Sequence, residues 1–252
     1  MEQEKLLKLG VEMGRRLMDS GAEIYRVEES VQRLLQAYGQ KAQVFAIPSC
    51  LIVGIETPDG QSLTKMQRIG AHGTDIEALE LCNDLCRKLC REPVPVETAL
   101  EQLCALDERH RQLPDWVVLL GYLAAAGFFA LFFGGGLGDA VSAGIAGLVA
   151  GLCVMNGRSH FGSNIFFRTF ISAAAGSFVA MVLVRMGLGR DLWAATIGTL
   201  MVLVPGMALT NAMREIMAGD IISGVNRTAE VILVGAAIAI GAAIPMMLAR
   251  AL

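Results

Sequence analysis

The charged residues of this chain are concentrated in its first 115 residues. That stretch holds 14 of the 21 lysines and arginines and 19 of the 24 aspartates and glutamates. Residues 116–252 hold only 12 charged residues, and none of them is a lysine. One water-soluble core does not segregate charge in this way. The two parts are therefore predicted to be surrounded by different solvents, water for 1–115 and lipid for 116–252.

The lipid-like part contains five long apolar runs. An α-helix rises ~1.5 Å per residue, so each run is long enough, or nearly so, to cross a hydrocarbon core of ~30 Å. Five successive runs with almost no internal charge argue against a buried helical bundle in a soluble protein. We therefore expect an all-α bundle of five transmembrane helices, at about 116–133, 139–155, 165–184, 192–209 and 228–249.

The polar part is predicted to be a compact α+β domain. Apolar residues at spacings of three and four predict two N-terminal helices separated at Gly21. Residues 43–56, rich in Val, Ile and Phe, predict one or two strands, and residues 62–69 predict the returning strand. Two more helices are expected at about 74–90 and 96–109. A chain segment of this length can bury a modest core of its own.

Arginine placement predicts the orientation in the membrane. If residues 1–115 are cytoplasmic, the inside loops and helix ends carry six arginines and the outside ones carry three. This asymmetry predicts a cytoplasmic N-terminus and, with five spans, an external C-terminus. The first residues are charged and contain no signal-peptide core, which fits a domain that is not exported. The inside set is Arg109, Arg111, Arg158, Arg168, Arg214 and Arg227, and the outside set is Arg185, Arg190 and Arg250.

Two features argue against common ligands. The net charge of −3 and the lack of a long basic run argue against nucleic acid as a partner. Cys82, Cys86 and Cys90 fall on one helical stripe, which could suggest a metal site, but no histidine is placed to complete a ligand set. A small apolar helix face is the favoured interpretation. We expect no metal and no cofactor.

The most informative segment lies at 203–230. Pro205 and Gly206 interrupt the fourth apolar run, because proline lacks a backbone donor and glycine lets the chain bend. Broken helices beside polar groups are how secondary transporters build sites for small ionic solutes. The alternative is an ordinary cytoplasmic loop with solvated charges. The polar residues that follow are Thr210, Asn211, Arg214, Glu215, Asp220, Ser223, Asn226, Arg227 and Glu230.

These residues resemble the signature of the threonine/serine exporter family, as does the stretch Gly-Ala-Glu-Ile-Tyr-Arg-Val-Glu at 21–28. The resemblance covers nearly the whole chain, and the length is similar to that of the short, five-span YjjP-type subunit. It implies a partner of YjjB type, and export of threonine and serine or of dicarboxylates such as succinate across the cytoplasmic membrane of a bacterium. The signature residues are Leu203-Val204-Pro205-Gly206, Leu209-Thr210-Asn211-Ala212, Arg214-Glu215, Gly219-Asp220, Ser223-Gly224, Arg227 and Glu230.

The resulting hypothesis is a subunit of a secondary exporter for small hydrophilic metabolites. Arg214 and Arg227 would hold substrate carboxylates, because an arginine fork donates two parallel hydrogen bonds. Asp220 or Glu230 would bind protons or counter those arginines, and Arg227 and Glu230 are one turn apart, close enough to pair. The full candidate substrate-binding set is Pro205, Gly206, Thr210, Asn211, Arg214, Asp220, Ser223, Arg227 and Glu230.

Two residues of the early motif, Arg26 and Glu28, are given no role by the resemblance. They could form contacts within the polar domain or line a cytoplasmic mouth, and the structural role is favoured.

Other function classes remain as alternatives. The polar domain could be a membrane-anchored enzyme, or a sensor or scaffold that binds a protein. No P-loop, zinc-protease motif or G-x-S-x-G elbow occurs, which disfavours ATP-driven transport and the familiar hydrolases. The expected partners are the bilayer, a small carboxylate-bearing substrate, and either a YjjB-type membrane subunit or further copies of this chain.

Overall fold

The computed structural model describes residues 2–57, 59–70, 73–109, 113–161 and 164–251, with side chains except at 108–109, 158–161 and 250–251. In chain order the elements are α1 (Glu2–Asp19), α2 (Ile24–Ala37), β1 (Ala42–Ile47), β2 (Cys50–Glu56), β3 (Ser62–Arg68), α3 (Ile76–Arg91), α4 (Val96–Cys104), α5 (Leu106–Arg109), α6 (Asp115–Phe132), α7 (Leu137–Phe161), α8 (Ile165–Arg185), α9 (Leu192–Met201), α10 (Gly206–Met217) and α11 (Ile221–Ala251).

The chain divides into two compact units, and the division is not a single cut. The first unit combines Met1–Gln112 with Met207–Thr228, and the second combines Leu113–Gly206 with Ala229–Leu252. Helix α10 and the first two turns of α11 therefore belong with the N-terminal elements, although their sequence lies within the apolar half.

The first unit contains a three-stranded antiparallel sheet with the order β1-β2-β3. Ala42 pairs with Ile55, and Cys50 pairs with Arg68. Alternate residues of β2 are buried, as expected for a strand with one face on a core. Helix α1 approaches this face closely at Gly14, where an added Cβ would lie 2.6 Å from Cδ2 of Leu51. The predicted strands are confirmed, with residues 43–56 forming two of them. Pro58 lies outside the described residues.

Large aliphatic side chains from α1, α2, α3 and the sheet fill the core of the first unit. Cys82 and Cys86 are buried in this core, and Cys90 packs against it. Burial raises the pKa of the Cys86 thiol to about 12, so this side chain stays neutral. The cysteine stripe thus contributes to packing on the inner face of α3.

The second unit is helical, and its helices meet through small residues. Ala146, Ala180 and Ala195 form one buried cluster, and Ala173 packs with Val234 and Ile238 in another. In the described part of the chain, four helices are long and apolar enough to cross a membrane. Counting the broken pair α9 and α10 as one span raises the number to five. The chain is thus a multi-pass membrane protein in composition and helix length.

Several boundaries differ from those predicted. The break expected at Pro205 and Gly206 within the span 192–209 is confirmed, because α9 ends at Met201 and α10 begins at Gly206, but α10 continues beyond 209 to Met217. The expected span 228–249 begins seven residues earlier, at Ile221, because the polar residues before Thr228 continue the helical hydrogen bonding. The expected helix 96–109 is divided into α4 and α5, and the second span continues to Phe161.

Four of the arginines that predict the orientation lie wholly or partly outside the described residues. Arg111 lies outside the described residues, and so do the side chains of Arg109, Arg158 and Arg250.

Candidate functional site

The site is built on a tight hairpin of two helices, α10 and the start of α11. Gly219 has φ +93° and ends α10 in the left-handed conformation that glycine adopts without strain. The N–H of Asp220 then donates to the carbonyl of Glu215 at 2.9 Å. The two helices approach so closely that a Cβ at Gly224 would lie 2.5 Å from Cγ1 of Ile216 and 3.0 Å from the carbonyl oxygen of Ala212.

Glu215 is the most deeply buried charged residue of this hairpin, with a side chain that has no exposed surface. Its Oε1 lies 3.5 Å from Nη2 of Arg227, whose side chain is 11% exposed. The backbone N–H of Ile24, in the first turn of α2, donates to the same oxygen at 3.3 Å. A buried charge is tolerated only when it is paired and hydrogen-bonded, and Glu215 meets that condition through one of its two oxygens.

Two buried oxygens in the hairpin keep unused hydrogen-bonding capacity. Neither Oε2 of Glu215 nor Oγ of Ser223 has a hydrogen-bond partner among the described residues. Native proteins satisfy nearly all such groups, so each exception requires an explanation. A polar ligand or a proton could engage them, which makes this location chemically unusual within the first unit.

A second ionic contact joins the hairpin to the early motif. Nη1 of Arg214 donates to Oε1 of Glu23 at 3.1 Å, and Glu23 also lies 3.5 Å from Nε of Arg26. Asn211 adds a hydrogen bond from its Nδ2 to the carbonyl oxygen of Gly21 at 3.5 Å. The motif at 21–28, helix α10 and Arg227 therefore form one ionic cluster, although the motif and α10 are about 190 residues apart in sequence.

The arginines of the ionic cluster have the chemistry to bind a ligand carboxylate in place of a glutamate of the protein. Each of its arginines is matched with a carboxylate of the protein: Arg214 with Glu23, and Arg227 with Glu215. A guanidinium binds a carboxylate of a ligand through the same geometry. A ligand carboxylate can therefore compete with the glutamates for either arginine.

The structure distributes the predicted site residues unevenly. Asn211, Arg214 and Arg227 lie in the ionic cluster, and Ser223 is buried in the same hairpin. Thr210 and Glu230 are exposed, and Asp220 is half-buried. Pro205 and Gly206 lie at the break before α10.

The carboxylates that pair with the two arginines are Glu23 and Glu215, whereas Asp220 or Glu230 was expected to bind protons or counter those arginines. Glu215 was recognised as part of the polar segment but was not assigned a site role, and Glu23 was recognised only as part of the early motif. The adjacent Arg214-Glu215 pair was the available signal. The pairing itself joins distant segments, so no local pattern could indicate it.

Glu28 has a role inside the first unit. Its Oε1 accepts a hydrogen bond from the N–H of Ala46 at 2.7 Å, which connects α2 to β1. Burial raises the pKa of this carboxyl above its usual value, with a smaller contribution of the same sign from Asp220.

Asp139 performs a similar structural task in the second unit. This buried side chain accepts hydrogen bonds from the N–H groups of Gly136, Arg190 and Asp191, at 2.8, 2.6 and 2.8 Å. It therefore joins the start of α7 to the loop between α8 and α9.

Comparison of the sequence with known proteins identifies the family of this chain. A family model described as "Putative threonine/serine exporter" matches residues 8–249. The "Probable threonine/serine exporter" of Mycobacterium tuberculosis is 25% identical over 244 residues, which are 94% of this chain and 45% of that protein. The chain thus spans less than half the length of that relative. No solved structure matches.

A relative of similar length carries a different name. The "Probable succinate transporter subunit YjjP" of Klebsiella aerogenes is 24% identical over 251 residues, covering 97% of this chain and 94% of that protein. Because the family model covers nearly every residue, including both halves of the ionic cluster, the chain belongs to the threonine/serine exporter family.

Proposed function

We propose that this protein is a subunit of a secondary exporter that moves small hydrophilic carboxylate-bearing metabolites out of the cell. The substrates would be amino acids such as threonine and serine, or dicarboxylates such as succinate, following the names of its relatives. This function does not require enzymatic chemistry, and membership of an exporter family favours it over a membrane-anchored enzyme or a sensor.

The observation that carries the proposal is the buried pair of Glu215 and Arg227. Arg227 would receive a substrate carboxylate in place of Glu215, with Ser223 providing a hydroxyl nearby in the hairpin. Arg214, paired with Glu23 but itself 56% exposed, would meet the substrate first. Thr210, Asn211 and Asp220 would supply further polar contacts, and the break at Pro205 and Gly206 would let the chain move during transport.

The proposal includes an orientation and a partner. The first unit would face the cytoplasm, with the C-terminus external, as the arginine asymmetry favours. The word "subunit" in the name of the Klebsiella relative supports a hetero-oligomer, and a small YjjB-type membrane protein is the proposed partner, with a homo-oligomer as the alternative. An impermeant thiol reagent on intact cells would label a cysteine placed at 134–138 and miss one placed near Arg168; the reverse pattern would invert the orientation.

The function is tested by efflux from reconstituted vesicles loaded in turn with labelled threonine, serine and succinate. Vesicles containing this protein with the YjjB-type subunit should release at least one substrate, and vesicles with this protein alone should release little. The variant Arg227→Ala should reduce efflux at least tenfold. Arg227→Lys keeps the charge but loses the fork, and it should also be impaired.

The matched control is Arg68→Ala, which removes an exposed arginine from β3 of the same unit. It should leave efflux unchanged. Normal efflux by correctly folded Arg227→Ala and Arg227→Lys proteins would remove the ionic cluster from the transport pathway. Release of none of the three substrates, with or without the second subunit, would refute the proposed function.

A further inference from the structure

A second polar feature is a groove between α2 and α3, which shares Arg26 with the ionic cluster but none of its other residues. The groove has a volume of about 490 Å³. Helix α2 contributes Arg26 and Arg33, which are two turns apart, and helix α3 contributes Arg87 and Arg91, which are one turn apart. Four arginines from two helices thus line one concave surface.

The sign of the charge in this groove is opposite to that of its surroundings. Residues 1–115 carry 19 acidic against 14 basic residues, so the N-terminal part is acidic as a whole. The groove is lined by four arginines and a single acidic residue, Glu29. A concave surface lined by one sign of charge concentrates counter-ions of the other sign.

The two arginines of α3 are available for a ligand. On α2, Arg33 forms an ion pair with Glu29, and Arg26 lies near Glu23. The side chains of Arg87 and Arg91 form no ion pair or hydrogen bond in the part of the chain that the structure describes. Like charges four residues apart on a helix repel each other, and a bound anion would remove that cost.

The remaining lining does not oppose an anion. Cys86 and Cys90 line the groove, and burial raises the pKa of both thiols, so they carry no negative charge near neutral pH. Asn83 lies one turn before Arg87 on the same face of α3 and can donate a hydrogen bond through its amide.

We propose that this groove binds an anion through a phosphate group, held mainly by Arg87 and Arg91. Two guanidinium forks can each donate a pair of parallel hydrogen bonds to a phosphate, which offers several acceptor oxygens and more than one negative charge. The phosphate would come either from a small soluble molecule or from the headgroup of an anionic lipid. Such a site would let a phosphorylated metabolite or the membrane surface influence the first unit.

The test uses the full-length protein in a neutral detergent at low ionic strength. Isothermal titration with sodium pyrophosphate should show binding by the wild type and at least a tenfold weaker affinity for the double variant R87Q/R91Q. The control variant Lys88→Gln changes an exposed cation on α3 that does not line the groove. It should bind pyrophosphate as the wild type does.

A second arm separates the two sources of phosphate. Protein in phosphatidylcholine vesicles would be compared with protein in vesicles that also contain phosphatidic acid, with protection of Arg87 and Arg91 from a guanidinium-specific reagent as the readout. Protection by phosphatidic acid supports a headgroup, and protection only by added pyrophosphate supports a soluble ligand.

Three results would overturn the proposal. One is the absence of binding and of protection in both arms. Another is an equal loss of affinity in Lys88→Gln, which would indicate unspecific screening. The last is equal binding of succinate with the same dependence on Arg87 and Arg91, which would indicate a carboxylate site. Circular dichroism of each variant checks the fold, which exposed substitutions should not change.

Discussion

The two units of this protein bury opposite kinds of side chain. The largest fully buried side chains all lie in the first unit among the described residues, and they include Leu9, Met13 and Leu34. In the second unit the fully buried residues are small, such as Ala130 and Ala143, while many large apolar side chains are exposed. Examples of the exposed set are Trp116, Phe128, Phe132, Leu137, Ile232 and Leu233.

The difference follows from the solvent. In water, burying apolar surface contributes about 25 cal/mol per Å², so the largest side chains are directed inward. In lipid this gain between helices disappears, because hydrocarbon tails are as apolar as leucine, and small residues let the helix backbones approach closely. Phe132 is 79% exposed and Leu9 is not exposed at all, so residue type alone does not determine burial.

The α10–α11 hairpin packs as part of the first unit, although its sequence position is in the apolar half of the chain. It is flanked by apolar helices in the sequence, yet it belongs to the first unit and contains paired charges. Its buried glutamate is stabilised by Arg227 and by a backbone N–H of α2. We expect mutations here to have the largest effects on stability.

Removing the Arg227 side chain should destabilise the protein. The variant Arg227→Ala leaves Glu215 buried without its counter-charge, and such losses cost about 3–5 kcal/mol. The apparent melting temperature in detergent, followed by circular dichroism, should fall well below that of the wild type. The double variant Glu215→Leu/Arg227→Met should recover most of the loss, because neither charge remains to be compensated. A melting temperature for Arg227→Ala equal to that of Arg68→Ala would show that the pair contributes nothing.

The same truncation should have unequal effects in the two units. Leu34 has no exposed surface in the first unit, and Leu34→Ala should cost about 2–5 kcal/mol through lost burial and a residual cavity. Leu233 on α11 is 57% exposed, so Leu233→Ala leaves no cavity and should have little effect. Melting of both variants in one detergent gives the comparison. Similar losses at the two positions would contradict the difference in packing.

Adding a methyl group tests the small-residue contacts of the second unit. A Cβ at Gly198 would lie 2.7 Å from both the carbonyl oxygen of Ala126 and the N of Ala130, and backbone atoms move aside only with difficulty. Gly198→Ala should therefore destabilise the protein by about 1–3 kcal/mol. Gly121→Ala in α6 is the matched control, because its Cβ would meet nothing within 4 Å. Equal melting temperatures for the two variants would show that α6 and α9 can separate without cost.

The sequence was sufficient for the features that depend on local pattern. Charge segregation indicated a polar and an apolar part, the segments 43–56 and 62–69 predicted the strands, and Pro205 with Gly206 predicted the break between α9 and α10. These outcomes depend on hydrogen bonding and polarity within a few residues, which a sequence displays directly.

The pairing of charges could not be obtained in the same way. Arg227 was expected near Glu230, its neighbour one turn on, but the structure pairs it with Glu215 across the hairpin. Likewise, Arg214 contacts Glu23 from a different part of the chain. Both contacts depend on how α10, α11 and α2 pack, and helix packing is decided by shape at positions that local periodicity does not identify.

The smallest expected effect concerns Glu28, whose carboxyl is half-buried against β1. Burial disfavours its charged form, so its pKa in the folded protein is raised above the usual 4.5. A folded state that binds its proton more tightly than the unfolded chain gains stability as the pH falls.

The variant Glu28→Gln cannot titrate, yet its Oε1 can still accept the hydrogen bond from the N–H of Ala46. The stability of the wild type relative to this variant should therefore rise as the pH decreases from neutral, and level off below about pH 4.5. Thermal unfolding of both proteins across this range measures the difference. A relative stability that falls with decreasing pH would mean that the Ala46 hydrogen bond, which favours the charged form, outweighs the cost of burying the carboxylate.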